Sequence, residues 1–266
     1  MNVLGEPSQP VSLVPVKSAP QLVPVSYLEM DRQRRRKLLW LAVVVLGACG
    51  ITAWFYIRSS YPAQAREAYD AGIRLMRATR YQQAILNFSR AIDLQPQMAD
   101  AYRMRAKAYL GLFESVNAVR DLTQVHELEP KDAMALIERG RAYLDLKDYP
   151  RAAADAENAV RLAPKLAAAY NLRGTALRNS GRLDNAVEDF SRALSLLPDM
   201  DNYFQRAATY QILGEHQQAI ADFNAAIEIS PEQPHPYYAR AKSRAAVGDR
   251  TGAEADFAEG RRITGF

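Results

Sequence analysis

The chain has 266 residues with 34 basic and 30 acidic side chains, and the basic excess lies in its first part, since residues 59–266 hold 27 of each. A neutral domain of this length lacks the basic surface that nucleic-acid binding requires, so we expect no nucleic-acid partner. The single cysteine, Cys49, excludes an intramolecular disulfide framework and a metal site built from several cysteines.

Residues 1–37 are predicted to form a disordered cytoplasmic tail. Each proline in it lacks an amide donor and favours extended backbone at the preceding residue. The tetrapeptide Leu-Val-Pro-Val occurs twice, which is either a short linear motif for a cytosolic partner or a chance repeat in a biased composition. The five prolines are Pro7, Pro10, Pro15, Pro20 and Pro24.

Residues 38–57 form a run of 20 residues without a charged side chain. As a helix, at about 1.5 Å per residue, the run would be about 30 Å long, which is the thickness of the hydrocarbon core of a bilayer. Trp40 lies near one end and Trp54 and Tyr56 lie near the other, as interfacial aromatic residues do. The run predicts a transmembrane helix.

The charges that flank this run predict its orientation. Five basic residues precede it within 15 positions and two follow it, which puts the tail in the cytoplasm and the rest of the chain across the membrane. We expect a single-pass protein of the bacterial inner membrane with a periplasmic C-terminal domain. The alternative is a lipoprotein, because Leu46–Cys49 resembles a lipoprotein cleavage box. The long tail and the apolar residues after Cys49 argue against it.

A 34-residue pattern recurs from residue 65 to residue 266. It is clearest at Tyr170, Gly174, Ala186 and Phe190, and each unit holds two apolar runs at helical spacing, so each is predicted to be a helical hairpin. Such a unit must stack on its neighbours to bury its apolar face, which predicts an all-α solenoid. The closing prolines are Pro96, Pro130, Pro164, Pro198 and Pro231. The predicted hairpins 1 to 6 are residues 65–98, 99–132, 133–166, 167–199, 200–233 and 234–266.

This pattern resembles the tetratricopeptide repeat (TPR), whose signature has an aromatic residue, Leu-Gly, Tyr, Ala, Phe or Tyr, Ala and Pro across 34 residues. The resemblance covers residues 65–266. Gly260, Gly265 and Arg244 depart from it in the last hairpin, as expected of a terminal unit with one face in solvent, and Ala68 replaces the aromatic residue of the first. The resemblance implies a solenoid that binds extended or helical peptides on a concave face, lined mainly by the first helix of each hairpin.

Two columns of opposite charge recur within the repeats. An aspartate follows each arginine of the first column by 16 residues, and in the first hairpin Ala71 and Asn87 replace both. Because the residues that follow Arg173 and Asp189 are expected to meet across their hairpin, we expect the two columns to pair within each hairpin. A ligand-binding ladder is the alternative. The columns are Arg105, Arg139, Arg173, Arg206 and Arg240, and Asp121, Asp155, Asp189, Asp222 and Asp256.

The helical period places twelve candidate peptide-binding residues on the concave face that the resemblance implies. They predict a groove that is basic in its first four hairpins and has apolar contacts in its first. The carboxylate clamp of some TPR proteins is not expected, since Tyr69 and Ile73 lie where it would begin. The candidates are Tyr69, Ile73, Met76, Arg77, Arg103, Lys107, Arg141, Asn171, Arg178, Phe204, Tyr238 and Lys242.

The three histidines are isolated from any catalytic constellation, and no phosphate loop or metal-ligand spacing occurs, so we expect no enzyme, no cofactor and no metal. The first functional hypothesis is a membrane-anchored scaffold that binds a peptide segment of a partner envelope protein, as an assembly factor or a subunit of a membrane complex. The second is an organelle-surface import or chaperone-docking receptor with its TPR domain in the cytosol. The partner is expected to be a membrane protein in the first case.

Overall fold

The computed structural model describes the backbone of residues 25–265 and the side chains of residues 34, 36–37, 39–41, 43–47 and 61–265. The chain divides into two units, Met1–Ser59 and Ser60–Phe266. Over the described residues the fold is all-α, with twelve helices and no strand. The helices are α1 Val25–Arg77, α2 Tyr81–Leu94, α3 Ala99–Gly111, α4 Ser115–Leu128, α5 Ala133–Asp145, α6 Tyr149–Leu162, α7 Ala167–Asn179, α8 Leu183–Leu196, α9 Met200–Leu213, α10 His216–Ile229, α11 Pro234–Ala246 and α12 Arg250–Thr264.

Helix α1 begins at Val25, directly after the last of the N-terminal prolines. It therefore includes residues 25–37 of the predicted disordered tail, and the other tail residues, 1–24, lie outside the described ones. In the part of the chain that the structure describes, no helix is both long and apolar enough to cross a membrane. The structure thus gives no support to the predicted transmembrane helix at residues 38–57, of which the side chains of 38, 42 and 48–57 lie outside the described residues.

Within the second unit, each odd-numbered helix from α3 to α11 packs against the helix that follows it, and each even-numbered helix from α2 to α10 packs against the first helix of the next hairpin. The closing prolines stand two residues beyond the ends of the second helices, for example Pro96 after Leu94 and Pro231 after Ile229. Proline cannot continue a helix, so it separates one hairpin from the next. The predicted all-α solenoid of helical hairpins is confirmed.

The turn inside each hairpin places one residue at a positive φ angle. Glycine fills that position in hairpins 4, 5 and 6, where Gly181 has φ 81°. In hairpins 1, 2 and 3 the position is taken by Thr79, Phe113 and Lys147, at φ 55°, 62° and 58°. The left-handed region disfavours residues with a Cβ, so these three turns carry backbone strain that the glycine turns avoid.

Small residues let the two helices of a hairpin approach closely. A Cβ on Gly174 would lie 2.9 Å from the ring of Phe190, which is fully buried between α7 and α8. Hairpin 3 has Ala156 in the column that holds Phe190, and Leu172 of the next hairpin fills the space, since a Cβ on Gly140 would lie 2.5 Å from its Cδ2. The core is therefore shared between neighbouring hairpins.

Candidate functional site

The first helices of the hairpins contact one another along the array, and we call the surface that they form the inner surface. Helix α5 contacts α7, α7 contacts α9, and α9 contacts α11. Side chains join these helices directly: Asn171 of α7 donates to Asn202 of α9 at 2.7 Å, and Gln211 of α9 donates to Ser243 of α11 at 2.7 Å. The inner surface is thus a continuous face on which the predicted groove residues can be located.

The arginine and aspartate columns pair within each of hairpins 2 to 6, as predicted. In hairpin 4, Nε and Nη2 of Arg173 donate to the two carboxylate oxygens of Asp189, at 2.8 and 2.7 Å. The other four pairs have the same two-bond geometry. All five aspartates are buried, with 2–7% of their surface exposed. Because these aspartates are buried and each bonds to arginine through both carboxylate oxygens, they hold the two helices of a hairpin together.

Each of these arginines also donates through Nη1 to the second helix of the preceding hairpin. Arg105 reaches the hydroxyl of Ser89 at 2.8 Å, and Arg240 reaches the amide oxygen of Asn224 at 2.7 Å. One guanidinium therefore joins three helices of two hairpins. The other acceptors are Thr123 for Arg139, Glu157 for Arg173 and Ser191 for Arg206.

The candidates in hairpin 1 are partly used in packing. The Tyr69 ring lies 5.8 Å from the ring of Phe88, and burial together with the nearby Asp100 raises the pKa of Tyr69. Ile73 and Met76 are half-buried, and Arg77 is exposed. The apolar side chains at this end of the inner surface are therefore partly covered by the chain itself.

The predicted basic character of hairpin 2 is neutralised by acids of the same chain. Arg103 forms ion pairs with Glu129, Asp132 and Glu138, and Lys107 pairs with Glu138 at 3.1 Å. Burial alone would lower the pKa of Arg103, but the hydrogen bond with Asp132 and the charge of Glu138 raise it. The expectation of a groove that is basic through its first four hairpins is therefore wrong for hairpin 2.

A polar depression of about 320 Å³ lies on the inner surface where hairpins 3, 4 and 5 meet. Two candidates line it: Arg141, which is exposed, and Asn171. Within the described residues Arg141 makes no ion pair. The other lining residues are Ala167, Ala168, Leu197, Asp199, Asp201, Asn202 and Gln205.

Arg178 lies beside this depression. Its Nη1 donates to the side-chain oxygen of Gln205 at 2.7 Å and to the backbone oxygen of Gln205 at 3.5 Å. The guanidinium carbon is 5.8 Å from the centre of the Phe190 ring. Burial lowers the pKa of Arg178. The side chain is therefore held in place by neutral groups.

A second, more apolar depression of about 230 Å³ adjoins the first between hairpins 5 and 6. Met200, Phe204 and Pro236 give it an apolar wall, and Phe204 also packs on Phe223 with ring centres 5.6 Å apart. Asp201 and Gln205 line both depressions, so the two are neighbours on the inner surface. Gln233 and His235 complete the lining.

The last two candidates lie in hairpin 6. The Tyr238 ring packs on Phe257, with ring centres 6.3 Å apart, and Lys242 is exposed. Neither lines the two depressions. The structure thus brings Arg141, Asn171 and Phe204 to the depressions and Arg178 to their edge, and the other eight candidates lie on α1, α3 and α11 away from the depressions.

Sequence reasoning missed Glu138, Asn202 and Gln205, which decide the character of the inner surface. Glu138 and Gln205 occupy the same position in their hairpins, one residue after the column that holds Arg103, Asn171, Phe204 and Tyr238. If the candidates had been taken from a wider arc of the first helix, they would have included that position.

The buried polar atoms that lack a hydrogen-bond partner lie away from these depressions. The Nδ1 atoms of His126 and His216 are buried without a hydrogen-bond partner. Among the residues that the structure describes, no group of three or more His, Cys, Asp or Glu side chains is arranged to hold a metal ion. Neither histidine lines the polar or the apolar depression.

Comparison with protein families gives an independent view of the repeats. A family model described as "Tetratricopeptide repeat" matches residues 62–113, 114–167 and 137–201, and a second model of that description matches residues 201–233. Tetratricopeptide repeat protein 16 of Homo sapiens is 37% identical over 65 residues, which are 24% of this chain and 7% of that protein. The Mus musculus protein of that name is 33% identical over 70 residues, 26% of this chain and 9% of that one. The chain spans less than a tenth of the length of these relatives.

Solved structures resemble the solenoid more completely. The APC/C hetero-tetramer Cut9–Hcn1 gives a TM-score of 0.66 at 18% identity, over 77% of this chain and 41% of that chain. PilF of Pseudomonas aeruginosa gives a TM-score of 0.64 at 16% identity, over 77% of this chain and 93% of that chain. YrrB, described as a TPR protein with an unusual peptide-binding site, gives 0.50 at 22% identity, over 67% and 92%. Similarity at these identities establishes the fold.

Proposed function

Because the chain belongs to the tetratricopeptide repeat family, matched over residues 62–233, we propose that it is a scaffold that binds a peptide segment of another protein. The proposed site is the inner surface of hairpins 3 to 6. The observation that carries this proposal is the pair of neighbouring depressions, one polar and one apolar, that share Asp201 and Gln205. A peptide with polar and apolar side chains in sequence matches such a surface.

The distribution of charge favours this part of the array over hairpins 1 and 2. Arg103 and Lys107 already have carboxylate partners within the chain, so binding an acidic partner there would require breaking those ion pairs. Arg141 and Arg178 have none among the described residues; Arg141 lines the polar depression, and Arg178 contacts Gln205 at its edge. The proposal agrees with the peptide-binding site that YrrB is described as having.

Photo-cross-linking in cells that express the full-length chain tests this function. A photoreactive amino acid replaces Arg141, which is exposed at the depression, or Arg120, which is exposed on the second helix of hairpin 2. A partner that is linked from position 141 and is lost when Phe204→Ala is added supports the proposal. Partners linked only from position 120 would place binding on the second helices and refute it.

The membrane anchor and the envelope partner are the finer part of the proposal. We propose that residues 38–57 anchor the chain in a bacterial inner membrane, with the TPR domain in the periplasm. The support is the 20 uncharged residues and the five basic residues before them. A reporter fused after Phe266 that is active only in the periplasm agrees with this topology. Activity only in the cytosol would reject it and favour the receptor of the second hypothesis.

A lipoprotein is the remaining alternative for the N-terminal part. Cleavage before Cys49 would remove residues 1–48 and leave a lipid on that cysteine. The mass of the mature chain, measured after extraction from membranes, distinguishes the two. An intact N-terminus agrees with an uncleaved anchor, and a lipidated fragment that begins at Cys49 contradicts it.

A further inference from the structure

One arginine of the solenoid differs from all the others that are half-buried. Eight arginines of the described residues are half-buried, and seven of them form ion pairs with an aspartate or glutamate of the chain. Arg178 is the eighth, and within the described part of the chain no carboxylate lies within 4 Å of its guanidinium. It therefore lacks the counter-charge that every comparable arginine has.

The groups around Arg178 leave most of its hydrogen-bonding capacity unused. A guanidinium has five N–H donors, and the bonds of Arg178 within the described residues involve Nη1 alone, which contacts two oxygens of Gln205. Moving a cation out of water without a paired anion is unfavourable. Burial also lowers the pKa of this arginine, which is the direction expected of a cation without a nearby anion. A carboxylate supplied from outside the chain would satisfy these donors.

The contacts of Gln205 connect this arginine to the apolar depression. Gln205 accepts from Arg178 and lines both depressions. A carboxylate on Arg178 and a side chain against Met200 and Phe204 would thus lie on either side of one residue. In an extended peptide, which rises about 3.3 Å per residue, these groups belong to near neighbours in sequence.

We propose that Arg178 binds a carboxylate of the partner segment, and that a neighbouring apolar side chain of that segment occupies the depression lined by Met200, Phe204 and Pro236. The inference rests on the proposed function and specifies the chemistry of the ligand. Asp199 and Asp201 at the polar depression disfavour a run of acidic residues. The segment therefore carries one carboxylate beside an apolar residue.

The test begins with selection of twelve-residue peptides from a random display library on the immobilised full-length chain. Selections on Arg178→Gln and on Arg120→Gln run in parallel, the latter as a control that removes an exposed arginine of a second helix. We expect aspartate or glutamate next to an apolar residue to be enriched on the wild type and on Arg120→Gln. On Arg178→Gln the acidic residue is expected to lose its enrichment.

Fluorescence anisotropy of the best wild-type peptide then measures the contact. Changing its acidic residue to the amide should weaken binding about tenfold or more to the wild type, as the loss of a charge-assisted hydrogen bond does, and should have little effect on Arg178→Gln. The peptide is made with an amidated and with a free C-terminus. A loss of affinity on amidation alone would assign the carboxylate to the chain end, and insensitivity to amidation would assign it to the side chain.

The outcomes separate this inference from the proposed function. A peptide whose binding is weakened by Phe204→Ala but not by loss of its acidic residue overturns the inference and leaves the proposed function standing. A peptide that is insensitive to Phe204→Ala, Asn171→Ala and Arg178→Gln contradicts both. Should Arg178→Gln fail to fold, as shown by circular dichroism, equal affinity of the acidic and amide peptides for the wild type overturns the inference, and a difference that persists in Arg141→Gln supports it.

Discussion

Arg173 donates two hydrogen bonds to Asp189, at 2.8 and 2.7 Å, and a third to Glu157 of the preceding hairpin. The same arrangement recurs in hairpins 2, 3, 5 and 6 with other acceptors in place of Glu157. The pair within the hairpin joins its two helices, and the third bond joins the hairpin to the one before it. Since these arginines belong to the first helices, the bonds also hold in place the helices that form the inner surface.

The arginine–aspartate pairs predict a large loss of stability when one partner of a pair is removed. Asp189→Ala leaves Arg173 without its buried partner, and we expect the free energy of unfolding to fall by about 3 kcal/mol. Glu157→Ala removes an exposed partner of the same arginine and should cost at most about 1 kcal/mol. Urea unfolding followed by circular dichroism compares the two. Equal losses would show that the buried bond is not the stronger contact.

The shared core between hairpins 3 and 4 predicts that Leu172 contributes more to stability than the residues at the same position of other hairpins. Leu172 is 2% exposed and packs in one cluster with Ala156, so Leu172→Ala should cost about 3 kcal/mol. Met104, at the same position of hairpin 2, is half-buried, and Met104→Ala should cost less. Adding Ala156→Leu to Leu172→Ala should restore part of the loss. No restoration in thermal unfolding would mean that the two side chains do not fill one space.

The strained turns predict a gain of stability from glycine. Phe113 has a positive φ and is 94% exposed, so Phe113→Gly relieves strain without losing packing. The left-handed conformation costs about 1–2 kcal/mol, and the greater freedom of glycine in the unfolded chain offsets about 0.5–1 kcal/mol. We expect a net gain of about 0.5–1 kcal/mol. The reverse change, Gly181→Ala, should lower the free energy of unfolding. A loss of stability in Phe113→Gly, measured by urea unfolding, would contradict the prediction.

Asp132 predicts a dependence of stability on pH. Burial by itself would raise the pKa of Asp132, but hydrogen bonds from Arg103 and from the backbone of Met134 hold it below the ordinary value of 3.8. A carboxyl group with a lowered folded pKa stabilises the fold above its unfolded pKa and loses that contribution as the pH falls through the folded value. The stability difference between wild type and Asp132→Asn should therefore be constant from pH 7 to about 5 and shrink below about pH 4. Asp93→Asn, at an exposed site, is the control. A stability difference at Asp132 that does not change with pH would show that its pKa is not lowered in the folded chain.

The periodic features of this chain could be predicted from the sequence, and the aperiodic ones could not. The 34-residue spacing determines which residues of a hairpin face each other, so the pairing of Arg173 with Asp189 was predictable. Contacts between hairpins also depend on the rotation from one unit to the next, which the spacing does not contain. The pairing of Arg103 with Glu138, the position of Leu172 against hairpin 3 and the isolation of Arg178 are contacts of this second kind.

The central claim is that a partner peptide binds the inner surface of hairpins 3 to 6. Cross-link mapping tests it most directly: the apolar residue of the best selected peptide is replaced by a photoreactive one, and the linked residue of the full-length chain is identified by mass spectrometry. We expect links to Met200 or Phe204, which Phe204→Ala reduces. Links confined to the second helices α2, α4, α6, α8, α10 and α12, or to hairpin 1, would contradict it.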